Sequence, residues 1–106
     1  MTAPSRLESL MRLLEKDPSD AFCLYGVAQE HASAGRDEDA AAWFRRAIAA
    51  DPKHAYARFH LARALERLGR VDEATAALRE GLGVARAEGD AKAANELAGY
   101  LDELTP

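Results

Sequence analysis

The sequence predicts an all-α fold built as a solenoid, a stacked array of antiparallel helix pairs with about six helices. Three observations carry that prediction. Laying Asp17–Ala50 over Asp51–Val84 without a gap, a 34-residue period, aligns nine identical positions: Asp17, Pro18, Ala21, Ala28, Gly35, Arg36, Ala40, Ala42 and Arg45 on their counterparts. Self-similarity at such a period marks an array in which no unit buries its apolar face alone. Ala and Leu are abundant and β-branched residues scarce, the balance of helices in close contact. Apolar residues recur at helical spacing between regularly placed Asp-Pro and Gly stops, the punctuation of short helices.

Each element has a local reason. Ser5 followed by Glu8 reads as a capping box, and Leu7, Leu10, Met11 and Leu14 behind it predict an amphipathic helix over 5–16. Asp17-Pro18 stops it, because the residue before proline is pushed out of the helical region. Ser19-Asp20 offers N-caps for a helix over 21–34, which Gly35 ends. A helix over 37–50 follows, with acids in its first turn that suit the helix dipole, and Asp51-Pro52 stops it in turn. The second unit repeats the plan: a helix over 55–68, Gly69 as the turn, and a helix from Val71 or Asp72 that meets no proline and runs on to Gly89. Asp90 then caps a last helix carrying Ala94, Leu97, Ala98 and Leu101 and ending near Leu104. Turns this short make neighbouring helices antiparallel.

The chain of 106 residues reads as one domain with a modest core. Its net charge of −4 gives no general attraction to nucleic acid or anionic lipid. The single Cys23 excludes an internal disulfide, points to a reducing compartment, and reads as a buried, inert thiol beside core-facing Leu24. No apolar run approaches the roughly 18 residues of a membrane span. Charges from Arg6 to Lys16 interrupt any signal-peptide pattern, so a cytoplasmic location is expected.

With those elements placed, the chain resembles the tetratricopeptide repeat (TPR) family. The resemblance rests on Leu24, Val27, Ala28, Gly35, Ala40, Phe44, Ala47 and Pro52 in one 34-residue unit. In the next it rests on Leu61, Ala62, Leu65, Gly69, Ala74 and Leu78. Ala28 and Ala40 let paired helices approach while Phe44 or Leu78 fills the space beside them. The resemblance implies a right-handed array: a capping helix at 5–16, repeats at 17–50 and 51–88, and a second cap at 90–104. Five positions depart from the family pattern: Leu24 and Arg58 stand where an aromatic is frequent, His31 where tyrosine is usual, Gly81 opposite Ala47, and Arg86 where proline belongs.

Candidate binding residues lie on the first helix of each pair. In 21–34 the core stripe is Leu24, Val27, Ala28 and His31, leaving Phe22, Tyr25, Gln29 and Ser33 on another face. In 55–68 the stripe is Leu61, Ala62, Leu65 and Leu68, leaving Tyr56, Phe59, His60, Arg63 and Arg67. Phe22 aligns with Tyr56 and Tyr25 with Phe59, so four of the seven aromatics share a face the core does not require. The resemblance implies that this face lines a concave groove where peptides bind. The site residues expected for a peptide or partner protein are Phe22, Tyr25, Gln29, Tyr56, Phe59, His60, Arg63 and Arg67. Apolar side chains bury against such a strip, and the arginines offer donors to a carboxylate. The family's carboxylate clamp uses lysine and asparagine, which Tyr25, Gln29, Phe59 and Arg63 do not match, so that ligand is not carried over.

Other chemistry is not indicated. His31 reads as a buried, hydrogen-bonded core residue, and His54 with His60 lacks metal-ligand spacing. The acids at 37–39 and 72–73 are explained by the helix dipole, and no nucleophile or phosphate-loop motif is present. The sequence therefore predicts a non-enzymatic interaction module without cofactor or metal, binding protein rather than nucleic acid or membrane, as a monomer or weak homodimer. The alternative is a self-association role, with the aromatic strip or an end helix packing on another copy.

Overall fold

The computed structural model describes residues 4–106. Six helices make up the secondary structure of those residues: α1 (Arg6–Lys16), α2 (Ala21–Ser33), α3 (Asp37–Ala50), α4 (Ala55–Arg67), α5 (Val71–Ala87) and α6 (Ala91–Leu104). Each helix packs on the next in chain order, and α4 also touches α6. The result is an elongated stack of 51 × 29 × 19 Å.

The period of the sequence is visible in its turns. Gly35, Gly69 and Gly89 all take positive φ, 77°, 77° and 70°, which only glycine adopts without strain. Each lets the residue after it donate back to the helix end: Arg36 N–H to the His31 carbonyl at 2.9 Å, Arg70 to Leu65 at 2.9 Å, Asp90 to Ala85 at 2.8 Å. These are Schellman closures, which satisfy carbonyls a helix end leaves free. At the other turns Asp17 and Asp51 accept from the N–H two residues on, each at 3.2 Å. Ser5, Asp20 and Asp90 accept from the third backbone N–H after them at 3.1, 3.0 and 3.0 Å, and of the expected capping box the hydroxyl half is the part formed.

The core follows the small residues of the period. Ala28, Ala40, Ala62 and Ala74 are each fully buried and let paired helices approach, while Phe44 and Leu78 fill the space beside them at 1% and 0% exposure. Gly81 belongs to the same design. A Cβ there would lie 3.1 Å from the Arg58 Cβ and 3.2 Å from a Leu97 methyl, so α4 and α6 both occupy the room that a side chain on α5 would need. Arg58 replaces an apolar residue by laying its stem there and donating to the Pro52 carbonyl at 2.7 Å. Cys23 is buried at 3% exposure, and burial pushes its thiol up from the ordinary value.

Three expectations about packing need correction. His31 is half-buried rather than a core residue. It is hydrogen-bonded as expected, its Nδ1 accepting from Arg36 Nε at 2.8 Å, but it stacks on Trp43 at the edge of the core. Leu68 is half-buried because it caps α4 at the rim. Met11 is 39% exposed, while Leu10 and Leu14 alone of that stripe are fully buried against α2. The first-turn acids do more than suit the dipole: Glu38 takes both Arg70 amino groups, at 2.8 and 2.9 Å, tying α3 to the turn before α5.

Candidate functional site

α2 and α4 lie side by side on one face of the stack, and their second stripes meet over the ring of Phe44 from α3. Tyr25 touches Phe44 edge-on at 5.7 Å and sits 4.6 Å from His54 and 5.8 Å from His60. His60 stacks on Phe44 at 5.9 Å and an interplanar angle of 16°. Phe59 continues the strip, 5.6 Å from His60 and 6.5 Å from Tyr56. Edge-to-face and offset ring pairs at these distances are favourable beyond simple burial.

The strip ends against α6. Tyr100 lies 5.2 Å from Phe59 and is buried at 9% exposure. Its hydroxyl donates to the Glu66 carboxylate, and burial together with that bond pushes the phenol well above its usual range. Burial and the neighbouring Glu96 also push the Tyr56 phenol up. The last helix therefore covers the Tyr56–Phe59 end of the strip. Phe22 stands apart: it is 74% exposed and forms no ring contact among the described residues. It lies in the first turn of α2, while its counterpart Tyr56 packs toward Phe59 and α6.

What stays open is a hollow of about 230 Å³ between the C-terminal halves of α2 and α4. Gln29, Ala32 and Ser33 form one wall, His60, Arg63 and Arg67 the other, and Phe44 is the floor. Burial, then the charges of Arg63 and His54, lower the His60 pKa, so its imidazole is neutral at pH 7 and offers a hydrogen bond rather than a charge. Arg67 reaches Asp37 at only 3.6 Å, beyond hydrogen-bond length, and the buried Asp37 Oδ1 has no hydrogen-bond partner. Arg63 is exposed and has no ion pair among the described residues. The hollow thus combines the buried Phe44 ring at its base, the polar groups of Gln29, Ser33 and neutral His60, and two guanidiniums, that of Arg67 facing Asp37 and that of Arg63 free, a setting for a carboxylate beside an apolar side chain.

Of the eight residues expected from sequence, the structure brings Gln29, His60, Arg63 and Arg67 together in the hollow. Tyr25 abuts its floor, Phe59 and Tyr56 lie under α6, and Phe22 is outside. The sequence places Phe44 in the core only and gives no sign that Tyr100, the lone aromatic of α6, meets Phe59.

Similarity to known proteins places the fold in a family. The model of the family described as "Anaphase-promoting complex, cyclosome, subunit 3" matches residues 3–81. A TPR repeat-containing protein of Pseudomonas aeruginosa is 30% identical over 98 residues, 92% of this chain and 93% of that one. The solution structure of a tetratricopeptide repeat domain protein from Salinibacter ruber superposes with a TM-score of 0.76 at 35% identity, over 83% of this chain and 89% of that one. PcrH, a Pseudomonas aeruginosa protein, in its complex with the chaperone binding region of PopD, shares the fold with a TM-score of 0.87 at 22% identity, over 93% of this chain and 75% of that one. The chain belongs to the tetratricopeptide repeat family, within the TPR-type group whose model is that of the anaphase-promoting complex, cyclosome, subunit 3.

Proposed function

We propose that this chain is a non-enzymatic protein–protein interaction module that holds an extended peptide across α2 and α4. An acidic group of the peptide pairs with Arg63, and an apolar side chain rests against half-buried Tyr25 and Ala32, with the buried Phe44 ring behind them. The observation that carries this reading is the hollow itself: Arg63 has no ion pair of its own beside Gln29, Ser33 and neutral His60 over an aromatic floor. PcrH, of the same fold, is described in complex with a binding region of another protein, which supports a polypeptide as the ligand class. The acidic net charge of −4 favours protein over nucleic acid or anionic membrane, and a lone buried thiol fits a reducing cytoplasm. A dimer through the aromatic strip is not favoured, because α6 already takes Phe59.

Selection of a displayed random-peptide library on the immobilised protein tests this. Enriched peptides should pair acidic with aromatic or aliphatic residues, and Arg63→Glu should weaken them by at least about tenfold, since a like-charge contact costs several kcal/mol. Enriched peptides that bind the Arg63→Glu variant as tightly as the parent would overturn the reading.

A further inference from the structure

α1 and α6 each lack a neighbour on one side among the described residues, and what they lack is of opposite kind. α1 and α3 both end on an Asp C-cap, Asp17 and Asp51; in that register Leu10, Leu13 and Leu14 fall on Phe44, Ala47 and Ile48. α2, α4 and α6 start at Ala21, Ala55 and Ala91; in that register Ala94, Ala98 and Leu101 fall on Arg58, Ala62 and Leu65. α1 is thus the second helix of a pair, and α6 the first helix of one. Their exposure agrees. Ala47 is 1% exposed under α2, whereas Leu13 is 51% exposed. Ala62 and Leu65 are covered by α5 at 0% and 1% exposure, whereas Ala98 and Leu101 are half-buried.

We propose that a second copy of this chain supplies both neighbours, α6 of one copy pairing with α1 of the next, head to tail, to complete a helix pair across the interface. Side-chain sizes fit this partner. Within the chain one register position pairs Leu24 with Ala47, both in one buried cluster, and in the next helix pair it joins Arg58 to Gly81, in close contact. Across the copies the same position pairs Ala94 with Leu13, so a large residue again meets a small one, now supplied from the other side. A hollow of about 240 Å³ lies where Leu13 would enter, lined by Ala85, Ala91 and Ala94 with Arg86, Gly89 and Asp90 at the turn between α5 and α6. Charges fit as well. Antiparallel pairing sets the end of α6, with Asp102 and Glu103 and no base in its last turn, beside the start of α1. There Arg6, 56% exposed while bonded to Glu30 at 2.9 Å, replaces the buried Ala40 and Ala74 of the other pairs. Such a contact joins unlike surfaces, so it does not stop at a two-fold dimer but builds chains, or rings where the rotation closes.

Sedimentation velocity over a rising concentration series tests the proposal with the parent, Leu13→Lys, Ala94→Arg and an equimolar mixture of the two variants, whose like charges keep the doubly altered contact from forming. Leu13 is exposed, and Ala94→Arg places on α6 the residue that α4 carries at the same register, so both variants should keep the parent's helical circular dichroism. The parent should pass through dimer to larger species, and each variant alone should stay monomeric. The mixture should stop at a dimer, because one variant keeps an intact α6 face and the other an intact α1 face. A parent that stays monomeric, a variant that dimerises alone, or a mixture that stays monomeric would each overturn it.

Discussion

Tyr100→Phe removes one hydroxyl from the contact by which α6 covers the aromatic strip. The ring stays against Phe59, so packing is conserved and the hydrogen bond to Glu66 is lost. A hydrogen bond to a charged group contributes about 1.5–3 kcal/mol, and Glu66 is exposed and regains water, so the lower end, about 1.5 kcal/mol, applies. At roughly 2.1 cal/mol/K per residue, a chain of 106 residues should lose about 7 °C of Tm. The pH dependence sharpens the test. The folded state holds the Tyr100 phenol above its usual value, so the contribution is complete below the unfolded pKa of about 10 and is lost as pH rises from there. Tyr25 and Tyr56 are shifted the same way but are present in both proteins and cancel. Urea unfolding followed by circular dichroism at pH 7 and again above pH 10 should show a gap that narrows in base. Equal stability at pH 7, or a gap that does not narrow, would refute the bond as the clamp of α6.

Further outcomes follow from the same packing. Phe44→Ala, at a position 1% exposed under Tyr25 and His60, should cost about 3–5 kcal/mol in urea unfolding. Gly81→Val should cost about 1–3 kcal/mol, because its Cβ alone would stand 3.1 Å from the Arg58 Cβ. Gly35→Ala should destabilise by about 1 kcal/mol, since its φ of 77° suits no L side chain. His60, with its pKa lowered by burial and by Arg63 and His54, should titrate below about 6.5 by NMR. Its stabilisation is present above that value and is lost as pH falls, so His60→Gln should flatten the acid limb of the stability profile.

The helix bounds were legible because their causes are local. Asp-Pro at 17–18 and 51–52 and Gly35, Gly69 and Gly89 stop helices by backbone chemistry that needs no tertiary context. The shared face of α2 and α4 was legible for a related reason: a period of 34 residues transfers any surface stripe from one pair to the next. What escaped depends on where the stack ends. Tyr25 and Phe59 occupy one register position, yet Phe59 is capped by Tyr100 and Tyr25 faces His54, because α4 carries the small Ala64 in the register where α6 carries Tyr100. Leu13 stands out from α1 because no helix among the described residues packs on its outer side, and Phe22 stays exposed in the first turn of α2. His31 falls on the core stripe by period, but the Arg36 side chain bonds its imidazole and holds it at the rim.

The account centres on the face between α2 and α4. Its most direct test is a two-dimensional amide NMR titration of the protein with a peptide enriched by library selection. The account predicts amide shift changes concentrated at Gln29, Ser33, His60, Arg63 and Arg67 as the hollow above Phe44 fills. Changes confined to the outer surfaces of α3 and α5, leaving those residues unmoved, would contradict it.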